Sequence, residues 1–140
     1  MRNWQKGRAL RTSLNACIAE AGAQDLVELI GEDCLIAMLV KSGGIHKLNV
    51  ARTFFLQELV RRGQLFQGLF YPTPAHDEAA LQETIQAWRE ALPLFKRFTE
   101  SGHREELLGD PTKPVFRAFN SCECLSSSDC LRCHDKLKGN

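Results

Sequence analysis

The chain has no long apolar run, no excess of charge and no internal repeat. Its longest apolar stretch, Cys34 to Val40, is far short of the about 20 residues that a membrane span requires. The opening residues Met1-Arg-Asn-Trp-Gln-Lys-Gly-Arg8 hold no apolar segment of the kind that directs secretion, so the expectation is a cytoplasmic chain. A net charge of +1 gives no reason to expect nucleic acid or an anionic membrane as partner. There is no Gly-rich strand-to-helix turn to cradle a phosphate, and no low-complexity tract. What is present is ordinary for a globular protein. The 140 residues are 44% apolar and 25% charged, enough for one domain with a real core.

Residues 49 to 92 organise the rest. They read as a helix over 49–62, a strand over 65–71, a Pro-Thr-Pro turn and a helix from Asp77. Gly63 follows an apolar pair and two arginines, where a helix end wants a left-handed residue and positive charge. Pro72 and Pro74 can neither join a ladder nor continue a helix, so the strand stops there. Asp77 is a good N-cap, and Leu81, Ile85, Trp88, Leu92 and Phe95 then form one apolar stripe. Pro93 predicts a kink or break, although Leu94, Phe95 and Phe98 favour a bent helix running on to about Glu100.

Upstream, Leu10, Leu14, Cys17, Ile18 and Ala21 predict a helix over 3–22 closed by Gly22. Residues 26–30 alternate as a strand, Gly31-Glu32-Asp33 reads as a turn, and 34–40 is a strand buried on both faces. Downstream come a short helical turn over 103–108, an extended connection over 110–114 and an apolar patch, Val115–Phe119, laid on the surface. The first two strands share a tight turn and pair antiparallel. The third pairs parallel or lies across them as a mixed edge. The fold class expected is α+β, a two-layer sandwich with a three-stranded, mostly antiparallel sheet and helices on one face. The order is α-β-β-α-β-α over residues 1–120, and an irregular Cys-rich tail occupies 121–140.

Several segments, in the same order along the chain, resemble the carboxy-terminal small domain of class III, fold-type I pyridoxal-phosphate enzymes, of the glutamate-1-semialdehyde aminomutase-like kind. They are Trp4-Gln-Lys-Gly-Arg-Ala-Leu10 with Leu14-Asn15, Gly31-Glu-Asp-Cys-Leu35, Leu59-Val-Arg-Arg-Gly63, Phe66-Gln-Gly68, Phe70-Tyr-Pro72, Ala75-His76 and Gly109-Asp-Pro-Thr-Lys-Pro-Val-Phe-Arg117. The likeness covers about residues 3 to 120. It implies a domain that closes over a cofactor site built mainly by a larger preceding domain. The complete enzyme would move an amino group between an amino acid or amino aldehyde and a keto partner. It would be a homodimer, with pyridoxal phosphate held by a lysine of the larger domain. The chain alone would be inactive, and apolar surface facing its missing partner would be left bare.

The same likeness turns the loop 67–74 toward a substrate, with Gly68 allowing a close backbone approach and Tyr71 offering a phenol. Read from the residues alone, this loop is an edge strand and a proline turn without chemistry. The loop is shorter than in the aminomutases proper and lacks their glutamate, which weighs against aminomutase activity. Lys41, before Ser42-Gly43-Gly44, reads as an exposed lysine at a strand end and not as the cofactor lysine. His76 with Asp77 reads as a surface imidazole beside a helix cap, and His46 and His103 as solvated loop residues.

The tail stands outside the likeness. Cys122-x-Cys124 and Cys130-x₂-Cys133, followed by His134, bring two thiol pairs within reach of one tetrahedral zinc ion. Cys130-Leu-Arg-Cys133-His134 also spells a haem-attachment sequence, and free thiols on an unstructured tail or disulfide pairing are further readings. The alternative to the enzyme fragment is therefore a non-enzymatic, partner-binding α+β module with a Cys-rich zinc-binding tail.

Overall fold

The computed structural model describes residues 3–41, 45–101 and 104–112, with 45–47 described by their backbone only. The elements follow the order α1 (Asn3–Glu20), β1 (Val27–Glu32), β2 (Leu35–Val40), α2 (Ile45–Arg61), β3 (Leu69–Phe70) and α3 (Glu78–Ser101), then a 3₁₀ turn at Arg104–Glu106. The sheet order is β1-β2-β3, and both pairings are antiparallel. The fold is α+β in two layers, with the three helices over one face of the sheet.

The helices form where the apolar spacing places them. In α1, Leu10, Leu14, Cys17 and Ile18 are buried, and the helix closes on Gly22 at φ 61° with Ala23 N donating to Ile18 O at 2.9 Å. That six-to-one bond satisfies a terminal carbonyl that the helix itself leaves open. Gly63, at φ 77°, ends α2 the same way through Gln64 N to Leu59 O at 3.0 Å. Asp77 Oδ1 accepts the Ala80 N–H at 2.9 Å and caps α3. The stripe of α3 from Leu81 to Phe98 then faces the other two helices. Trp88, Phe55 and Phe95 meet there, with Phe55 edge-on to Trp88 at a centroid distance of 5.1 Å.

The third strand pairs antiparallel with β2, neither parallel nor as a mixed edge, because the chain returns from α2 in the opposite sense to β2. Four further local expectations need correction. Helix α2 starts at Ile45 and not at Asn49, because no breaker stands between them and Leu48 packs against the core. His46 thus lies in the first turn of a helix and not in a loop. Strand β1 continues through Gly31 and Glu32, since Gly31 takes φ 87° within the strand and the turn falls at Asp33-Cys34. The third strand has two residues where seven were expected. Gly68 bends the chain at φ 98°, and Gln67 O is held by Arg52 Nη2 at 2.8 Å instead of by a neighbouring strand.

The fourth correction concerns β2. It is the central strand, but the described residues cover only one of its faces. Ile36 and Val40 are buried under the helices, whereas Leu35 and Leu39 are exposed on the other side. Helix α3 runs through Pro93 without a break; the residue sits on the solvent side, where the missing hydrogen bond costs least. No helix among the described residues is long and apolar enough to cross a membrane.

Candidate functional site

Side chains alternate across a strand, so the register decides which residues share the uncovered face. Ile30 stands opposite Ala37, and Ala37 opposite Leu69, giving one apolar row across all three strands. Leu35 and Leu39 flank Ala37 two residues away on the same side, opposite Glu32 and Glu28. Ile30, Leu35, Leu39 and Leu69 are 43%, 38%, 44% and 45% exposed. Single exposed leucines are normal on a protein surface; a contiguous patch rimmed by charge marks a contact surface. Here the rim is Glu32 at one end and the Lys41–Glu28 ion pair, at 3.2 Å, at the other.

The segment after Gly63 joins this face to the helix layer. Gly68 is forced by geometry, since its φ is 98° and a Cβ would lie 3.0 Å from Arg52 Nη2. Tyr71 is 58% exposed at the mouth of a pocket of about 340 Å³. Phe66, Phe70, Leu81 and Trp88 line the apolar side of that pocket, with Gln64, His76, Glu83 and Thr84 as its polar lining. The turn beyond Tyr71 is fastened twice. Lys6 Nζ, from α1, donates to the carbonyls of Thr73, Pro74 and His76. His76 Nδ1 accepts the Thr73 N–H at 3.0 Å, so the imidazole closes the proline turn beside the Asp77 cap.

Gly68 and Tyr71 thus flank β3 at one edge of the sheet. Lys41 is exposed at the end of β2, salt-bridged to Glu28. The side chains of His46 and Lys47 are not described. His103, Val115–Phe119, Cys122, Cys124, Cys130, Cys133 and His134 lie outside the described residues. The sequence reading passed over Lys6 and Arg52, because a cation that binds main-chain carbonyls far away in the chain leaves no spacing signal.

It also passed over Glu58. This carboxylate is 4% exposed on α2 and takes Arg61 Nη1 at 2.8 Å and Arg62 Nη1 at 2.9 Å. Arg62 reaches on to Glu90 of α3 at 3.1 Å. Burial pushes the Glu58 carboxyl up, but hydrogen bonds from Arg62 and Gln57 and the charges of Arg61 and Arg62 outweigh it and hold the group below its ordinary range. Two elements are tied together by this network.

Pyridoxal phosphate needs a lysine in a partly dry pocket and donors for its phosphate. The residues described do not fit that group. No lysine or arginine lines the 340 Å³ pocket, Lys6 is committed to three carbonyls and Lys41 to Glu28. A second depression of about 290 Å³ is lined by Glu58, Arg61, Arg97 and Glu106, cations already paired with carboxylates. Compared with known proteins, the chain matches no family model, no curated protein and no solved structure.

Proposed function

We propose that this chain is the small, carboxy-terminal domain of a pyridoxal-phosphate-dependent aminotransferase-like enzyme of the cytoplasm, and that it is inactive by itself. The observation that carries the reading is the uncovered face of the sheet. A central strand written as an unbroken apolar run has helices on one side and, among the described residues, nothing on the other. Burying Ile30, Leu35, Leu39 and Leu69 against a second apolar surface would contribute about 25 cal/mol for each Å² removed from water. A larger cofactor-binding domain is the partner that the sequence resemblance supplies.

In the complete enzyme, a homodimer, pyridoxal phosphate on the larger domain supplies the electron sink for moving an amino group between an amino acid or amino aldehyde and a keto partner. This chain's own residues cover that domain, exclude water and bring the fastened turn with Tyr71 to the rim of the site. The turn carries no carboxylate between Gln67 and Pro74, which favours transfer between two substrates over an internal aminomutase reaction.

Co-expression of the 140-residue chain with the coding region directly upstream of it tests the reading. The expected result is a stable complex with a visible cofactor band and aminotransferase activity, with neither in the isolated chain. Covalent cofactor binding and turnover of an amino donor by the isolated chain would end the proposal. A zinc-loaded chain that binds some other protein and never a cofactor domain points instead to the partner-binding module, with Cys122, Cys124, Cys130 and Cys133 as the metal ligands.

A further inference from the structure

Among the described residues no strand pairs with the outer edge of β3, and that edge faces the pocket. Met38 N donates to Gly68 O at 2.8 Å, and Phe70 stands opposite Ile36. In an antiparallel ladder, alternate residues turn their main-chain groups to opposite sides. Gly68 and Phe70 turn theirs toward β2, so Leu69 and Tyr71 turn theirs away from it. The 340 Å³ pocket lies on this outward side, and β2 contributes nothing to its lining. Trp88 forms part of the wall, fully buried, and its Nε1–H has no acceptor among the described residues. Glu83 at the rim is exposed and has no ion pair or hydrogen bond among the described residues.

We infer that this edge accepts a fourth strand, an extended segment of the larger chain with apolar residues at alternate positions and a basic residue set for Glu83. A compound lodged in the pocket would leave the outward groups of Leu69 and Tyr71 unpaired, whereas a strand pairs them. Its alternate side chains then divide between the pocket and the bare outer face, which Leu69 already joins. The residue entering the pocket is a Met or Tyr, apolar in body with an acceptor at its tip for the Trp88 N–H. Pro72, one residue past Tyr71, limits the pairing to a short stretch. Naming the larger chain as the source rests on the aminotransferase-like reading; the open edge does not.

The test uses the full 140-residue chain and a display library of random short peptides. Enriched peptides should alternate apolar residues around a Met or Tyr and carry a Lys or Arg. Their binding should slow hydrogen exchange at the Leu69 and Tyr71 amides and change Trp88 fluorescence in a Trp4→Phe background. N-methylation of alternate peptide residues should weaken binding about tenfold, or roughly 1.4 kcal/mol. Ala80→Leu fills the pocket without touching the edge and should weaken binding comparably with an unchanged circular dichroism spectrum. The inference fails if no peptide is enriched, or if binders survive N-methylation and leave both amides unprotected. These arms involve no cofactor. A complex with the larger chain that the selected peptides do not displace would sink the fourth strand and leave the docking of the outer face standing.

Discussion

At the scale of single residues, two positions show how close contact and charge fix this molecule. Gly7 lies in the second turn of α1, inside a helix, where glycine is a poor helix former. A Cβ there would stand 1.6 Å from Asp33 O, so the helix backbone lies directly on the β1–β2 turn, with Arg8 and Arg11 closing on the Asp33 carboxylate at 3.1 and 3.0 Å. Gly7→Ala should destabilise the chain by about 2 kcal/mol in denaturant unfolding, in the range for overpacking. Gly109→Ala, which meets nothing within 4 Å, should be neutral.

Glu58 predicts a pH dependence. Its folded-state pKa lies below that of the unfolded chain, so its stabilisation is present above the ordinary carboxylate value of about 4.3 and is lost as pH falls through the folded value. Stability should therefore decline on acidification below about pH 5. Glu58→Gln should cost about 2 kcal/mol at neutral pH and flatten that decline. Equal acid sensitivity of the variant and the parent in urea titrations would show that Glu58 is not the group responsible.

At the scale of elements, β3 shows what local sequence leaves open. Apolar residues from Leu65 to Tyr71 suit a strand, yet the strand is confined to Leu69 and Phe70, with one further bond from Met38 N to Gly68 O, because Gly68 turns the chain at a positive φ. Gly68→Ala would combine backbone strain with the 3.0 Å approach of Arg52, at a cost of about 1–2 kcal/mol. The reporter is the Met38 amide, which donates to Gly68 O, and its hydrogen exchange should accelerate. Arg52→Ala frees Gln67 O without straining the backbone and should loosen the same amide less. The helices were legible from sequence because a 3.6-residue apolar period with a capping residue specifies both face and ends, as from Asp77 through Leu81, Ile85 and Trp88. The length of β3 was not, since a strand is defined by its neighbour.

At the scale of the whole molecule, the two sides of β2 should behave differently on substitution. Ile36 is fully buried, and Ile36→Ala should cost about 3 kcal/mol, the usual loss for an aliphatic core residue. Leu39 lies on the bare face, and Leu39→Lys should change the stability of the isolated chain by less than about 0.5 kcal/mol. The same change should abolish assembly with a cofactor domain, as read by size-exclusion chromatography of the co-expressed chains. A Leu39→Lys chain that assembles normally would remove the outer face from the interface.

The sequence by itself determined the α+β class, the order of the elements, the caps of the helices and the apolar stripe of α3, because these follow from spacing and punctuation within about ten residues. The tertiary structure alone decided which face of β2 is covered, how Lys6 and Arg52 fasten the turn that carries Tyr71, and where the sheet edge stays open. An apolar run states that a strand should be buried on both sides. Only the arrangement of the helices shows that the described residues supply one of them.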